Sequence, residues 1–196
     1  AARRVDLPMN AYTPMLLMLL TQAVLFVHVI AFALCVSAVL LEDWRLLATR
    51  RINAPRLARS ARRLTFGLGV LWCSGLLLVG LDIAASAGSW SPSDKLMAKL
   101  AVVSVLTLNG AALHAWVFPR LAGLGARVES QPWWAVAMGA VSSASWLYAT
   151  FVGVARLAAP WLSFSGFALL YAAAAGMAVA VALVMTGGAA SAKADA

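Results

Sequence analysis

The sequence predicts an all-α integral membrane bundle of five transmembrane helices, and three observations predict it. Of 196 residues, 63% are hydrophobic and only 11% charged, whereas a soluble domain carries about a quarter charged residues; the mean hydropathy is +0.89. Five predominantly apolar stretches reach the roughly 20 residues needed to cross a hydrocarbon core of about 30 Å. None shows the alternation of barrel strands. Backbone groups in lipid must be satisfied within their own segment, so each stretch reads as a helix.

Proline and glycine set the edges of these spans. Span one, 13–41, opens at Pro8 and Pro14; span two, 64–86, ends at the turn Gly88-Ser89-Trp90-Ser91-Pro92. Span three, 95–118, stops at Pro119, span four, 132–156, opens on Pro132, and span five, 162–186, follows Pro160. Residues 1–186 then form one membrane-embedded bundle with a basic loop at 44–63, a helical connector and not a separate domain, and 187–196 form a small, polar, flexible tail.

Charge orients the bundle. There are fifteen Lys and Arg against seven Asp and Glu, a net charge of +8. Seven of the fifteen cations are Arg45, Arg50, Arg51, Arg56, Arg59, Arg62 and Arg63. Cytoplasmic loops are enriched in Lys and Arg, so this loop lies inside. Arg120, Arg127 and Lys193 fall on the same side by alternation, leaving Arg3, Arg4, Lys95, Lys99 and Arg156 opposite. The N-terminus is then outside and the C-terminus inside, in a bacterial inner membrane. The basic excess is an orientation marker; nucleic acid is not a partner, whereas the lipid bilayer is. Trp44, Trp116, Trp133 and Trp134 near the inner interface and Trp90 and Trp161 near the outer one agree with that topology.

Soluble catalytic constellations are missing: there is no Gly-rich phosphate loop, no CxxC or CxxCH and no HExxH. Function therefore rests on the few polar groups at bilayer depth, where such groups are costly. His28 lies near the middle of span one and His114 toward the inner end of span three. A neutral imidazole can bind haem iron, and two from different helices make a b-type electron-transfer site; interhelical hydrogen bonding is the competing use. His28 is about 13 residues, roughly 20 Å, from the inner end of its span and His114 only about 4 residues, roughly 6 Å. That offset leaves open whether both ligate one iron.

Lys99 and Arg156, near the outer ends of their spans with Asp82, suit either structural pairing or an anionic group such as a haem propionate or a quinone-like head. Asn109, the run Ser142-Ser143-Ala144-Ser145-Trp146, and Trp72 add interior polarity and ring surface for a flat cofactor. Cys35, two turns after His28 on one face, joins His28 and the Met9, Met15 and Met18 cluster as an alternative copper path, since thiolate, thioether and imidazole suit Cu(I). Cys35 and Cys73 equally fit as small buried apolar residues.

The segment His28-Val-Ile-Ala-Phe-Ala-Leu-Cys35, the Arg-rich stretch ending Ala61-Arg62-Arg63, Ser74-Gly75-Leu76, Lys99-Leu-Ala-Val-Val and Asn109-Gly-Ala-Ala-Leu-His114 resemble the four-helix unit of bacterial copper-resistance D-type membrane proteins and of HemJ-type protoporphyrinogen oxidases. The resemblance covers about residues 25–121. The HemJ-type likeness implies a b-type haem held by His28 with an essential Lys99, and the copper-resistance likeness implies copper passage. Cys35 stands where these families carry Trp, and Ser37-Ala38 where they carry Gly-Gly.

The expectation is a membrane redox protein binding haem b through His28 and His114. Lys99, Arg156, Trp72 and Asn109 would shape the site, and electrons would pass to or from a quinone or another membrane-soluble partner. A haem-dependent membrane oxidoreductase activity is one form of this. A copper permease using Met15, Met18, His28 and Cys35, and a cofactor-free accessory subunit of a larger membrane complex, are the alternatives.

Overall fold

The computed structural model describes residues 12–86, 88–121, 127–128 and 131–194; Arg3, Arg4, Met9 and part of the 119–131 loop lie outside the described residues. Five helices are long and apolar enough to cross a membrane: α1 (Tyr12–Thr49), α2 (Ala54–Ala85), α3 (Asp94–Ala112, running on to Arg120 through tighter and wider turns), α4 (Trp133–Val154) and α5 (Phe164–Ala194). Among the described residues there is no strand, only an isolated bridge between Arg51 and Arg127. The chain is a multi-pass membrane protein whose apolar surface contacts lipid: Leu16, Phe26, Leu34, Leu108, Leu169 and Val184 are each more than 60% exposed, which only a hydrocarbon solvent accommodates at this density.

Helices run through most of the basic segment 44–63. Arg and Leu are good helix formers, so α1 continues eight residues beyond Leu41. It ends where Arg50 turns left-handed at φ 53°, just after Thr49 Oγ1 donates to the Arg45 carbonyl at 2.8 Å. Four residues later α2 starts. Asn53 Oδ1 accepts from the Arg56 N–H at 3.1 Å, and Pro55 occupies the first turn, where its missing N–H costs nothing. At the other end of the chain α5 extends to Ala194, so helix covers most of the expected tail.

The remaining boundaries follow the predicted punctuation. Gly88, at φ 89°, supplies a left-handed turn that only glycine adopts without strain. Ser93 caps α3, accepting from the Leu96 N–H at 3.2 Å, with Asp94 in the first turn facing the positive end of the helix dipole. Pro119 lacks an N–H and crowds the carbonyl four residues back. The chain responds with a π-turn at Leu113–Val117, in which the Phe118 N–H donates to the Leu113 carbonyl five residues away.

The chain divides into two compact units. One comprises α1 up to Leu34 with α2 from Phe66 to the following turn. The other comprises Cys35–Thr65 and everything from Pro92 onward, with α3, α4 and α5 packed on one another. One core cluster joins Ala98 and Val102 of α3, Tyr148 and Val152 of α4 and Phe167 of α5, with Val152 and Phe167 fully buried. A second cluster, Ile52, Val117 and Ala135, closes the arginine-rich end. Hydrogen bonds stitch these layers. Tyr148 Oη donates to the Phe167 carbonyl. Ser145 gives its proton to the Val141 carbonyl at 2.6 Å and so accepts from Tyr171 Oη at 2.8 Å. Lys95 Nζ reaches the Gly153 carbonyl at the C-terminal end of α4, where a cation complements the helix dipole.

Glu42 organises the start of α2. Its carboxylate, 15% exposed, accepts from Arg45 at 3.2 Å and Ser60 at 2.9 Å and forms an ion pair with Arg56 at 3.4 Å. Glu42→Ala strands two guanidiniums and a hydroxyl together. It is expected to cost about 1–3 kcal/mol, read as a lowered unfolding midpoint in SDS titration of the micellar protein; a change below about 0.5 kcal/mol would set this role aside.

Candidate functional site

His28 lies half-buried on α1, and Ser74 and Gly75 of α2 receive its imidazole. Nδ1 is 2.8 Å from Ser74 Oγ. Ser74 gives its only proton to the Val70 carbonyl at 2.6 Å, so its oxygen accepts from Nδ1–H. In the neutral ring Nε2 then carries the lone pair. This is how proteins prepare a metal-binding histidine: one nitrogen donates to a fixed acceptor, which sets the tautomer and orientation of the other. Gly75 makes the approach possible, since a Cβ there would sit 3.4 Å from the imidazole Cε1 and 3.9 Å from Nδ1. A methyl fits at ordinary contact distance, and any longer side chain would displace the ring.

Beside this pair lies an open groove of about 610 Å³, lined by Ala23, Val24 and Val27 of α1 and by residues of α2 from Phe66 through Ser74 to Leu77. Its walls are apolar and largely small. Ser74, which holds the imidazole, is also one of its few polar residues.

His114 occupies a different setting. It is exposed, inside the π-turn that Pro119 imposes, a kind of distortion frequent at functional positions. Its Nε2 lies 3.2 Å from Thr65 Oγ1, which donates to the Ala61 carbonyl at 3.0 Å. Phe118 packs edge-on against the ring, 4.9 Å between centroids. The two histidines thus share one motif, an imidazole on a hydroxyl that bonds back into α2, but through opposite ring nitrogens.

The other residues predicted for the site are held by contacts of their own element or unit. Asn109 spends its amide on the Met138 carbonyl at 2.9 Å, tying α3 to α4. Lys99 stands exposed on α3, one turn from Lys95, and Arg156 lies just past the end of α4; neither pairs with a carboxylate among the described residues. Asp82 accepts instead from Trp90 Nε1 at 2.8 Å. Trp72 is half-buried on α2, while Trp146 is buried in α4. Met15 and Met18 are exposed at 58% and 61%, and Cys35 is buried at 5%. Both cysteines are free. Among the described residues no three His, Cys, Asp or Glu side chains converge on a metal-sized site.

Sequence reasoning gave no part in the site to Ser74, Thr65 or the pair Tyr148 and Tyr171. Each carries a hydroxyl at bilayer depth, and that was the available signal. Comparison of the sequence with protein-family models and with characterised proteins, and of the fold with solved structures, gives no match.

Proposed function

We propose that this chain is an inner-membrane redox protein of a bacterium that binds b-type haem through His28 and exchanges electrons with a membrane-soluble partner such as a quinone. The observation that carries this reading is the Nδ1–Ser74–Val70 chain, which fixes the His28 ring through a serine that also lines a roomy apolar groove. A flat, largely apolar macrocycle with one iron needs that combination of a fixed imidazole lone pair and a wall of small residues. When bound, haem would supply one-electron chemistry, and the protein would contribute ligation, burial and hydrogen bonding that set its potential.

The chain's own residues take separate parts. Ser74 holds the His28 tautomer, and Gly75 keeps the ring close to α2. His114 takes the interhelical role of its Thr65 bond in place of a second ligation. Lys99 and Arg156, with exposed cationic ends, are suited to an anionic group such as a propionate or a quinone head. The N-terminus stands outside and the arginine-rich side inside in this reading.

An optical spectrum tests it. Protein purified after haem-sufficient expression is expected to show a Soret band and sharp reduced α and β bands at close to one haem per chain. A colourless, well-folded preparation that takes up no added haem overturns the proposal. His114→Ala is expected to keep the bands with at most a small loss of content.

A further inference from the structure

The seven arginines between Arg45 and Arg63 divide by what they touch. Arg45 and Arg56 pair with Glu42, Arg50 donates to the Met185 carbonyl at 2.9 Å, and Arg51 lies in the bridge to Arg127. Arg59, Arg62 and Arg63 differ. All three are exposed, and among the described residues none forms an ion pair with a carboxylate. Arg59 Nε turns back to its own helix at the Pro55 carbonyl, 3.4 Å away.

These three stand at spacings of three and four, so they share one face of α2. Like charges at that spacing repel, and Glu42, the acid that reaches the start of α2, is already taken by Arg56. A device for orienting the chain needs only the number of cations on one side. It needs neither a common face nor freedom from carboxylates. The apolar stretch of α2 starts at Leu64, directly after Arg63, which sets the three arginines at the level of lipid head groups.

We propose that the Arg59, Arg62 and Arg63 face of α2 binds the phosphodiester head group of an anionic phospholipid in the surrounding bilayer. Guanidinium forks match phosphate oxygens in bidentate fashion, and an anionic head group relieves the repulsion among the three. A lipid, in contrast to a soluble acidic partner, is held at that level by the bilayer that α2 enters.

The test is lipid association by electron spin resonance. The full chain is reconstituted in phosphatidylcholine vesicles with a trace of spin-labelled phosphatidylglycerol or phosphatidylcholine, and the motionally restricted fraction is measured. Wild type is expected to prefer phosphatidylglycerol, and the preference should weaken at about 0.5 M salt as charges are screened. A guanidinium held against an anionic head group contributes about fivefold. The variant Arg59→Gln/Arg62→Gln/Arg63→Gln is therefore expected to lose at least about fivefold, while Arg51→Gln/Arg120→Gln/Arg127→Gln, with the same net charge, stays within about twofold of wild type. If the first triple variant fails to insert, Arg62→Gln and Arg63→Gln singly carry the same test, each losing about fivefold. Equal association of both lipids with wild type overturns the proposal, and so does an equal loss in the two triple variants.

Discussion

Replacing His28 by alanine is expected to leave a membrane-inserted, monodisperse protein that retains less than about a tenth of the wild-type haem, since even partners one shell out from a metal ligand are worth about 10- to 100-fold in affinity. Ser74→Ala should fall between the two. It keeps the ligand but removes the acceptor for Nδ1–H, so the ring can rotate and exchange tautomers, and haem affinity is expected to drop about 10- to 100-fold. The Val70 carbonyl that Ser74 now contacts lies within α2, so losing the hydroxyl leaves the helix intact. Gly75→Ala, whose new methyl meets the imidazole at 3.4 Å, should stay close to wild type, and Gly75→Leu should behave like Ser74→Ala. Haem titration of the detergent-purified proteins orders the series. Wild-type affinity in His28→Ala would remove the assignment of iron to that residue.

Phe167→Ala carries the largest expected loss of stability, about 3–5 kcal/mol. Phe167 is fully buried among Ala98, Val102, Tyr148 and Val152, where three helices meet. Transfer from water drives little of helix association in a bilayer, because lipid tails are as apolar as the core. The cost of truncation is instead the dispersion attraction forfeited around a cavity into which packed helices cannot collapse. Leu169, two residues on and 72% exposed, faces lipid before and after truncation, so Leu169→Ala is expected to change stability by less than about 0.5 kcal/mol. Reversible SDS unfolding of both variants checks the contrast; equal effects would mean that the α3, α4 and α5 packing is not the stabilising core.

Five spans were legible because each needs only an apolar run of bilayer length with a breaker at its edge, and Pro119, Pro132 and the Gly88 turn are local signals. Helix in the basic connector was legible too, since Arg and Leu are strong helix formers, but the break at Arg50 was not. Asn53 with Pro55 was the readable mark of the α2 start. Of the site, His28 and His114 stood out by the cost of an imidazole in lipid. Their partners did not: Ser74 and Thr65 are 46 and 49 residues away in sequence, and a serine or threonine in a span usually satisfies itself on its own helix, as both also do. Asn109 read as cofactor polarity because nothing local reveals that the Met138 carbonyl stands opposite.

The π-turn at Leu113–Val117 also carries a lesson in phasing. A π-turn holds one residue more than an α-turn closed by hydrogen bonds between the same two levels. Taking a single residue out of this segment would let an ordinary helix form, without altering which side of α3 Ala98, Val102 and Leu106 present. Val117 would still face Ile52 and Ala135, whereas the same deletion elsewhere in α3 would swing everything after it by about 100°. Pro119 therefore does more than stop a helix: the wide turn beside it absorbs one residue of phase, so that one run of sequence serves both the three-helix core and the arginine-rich end.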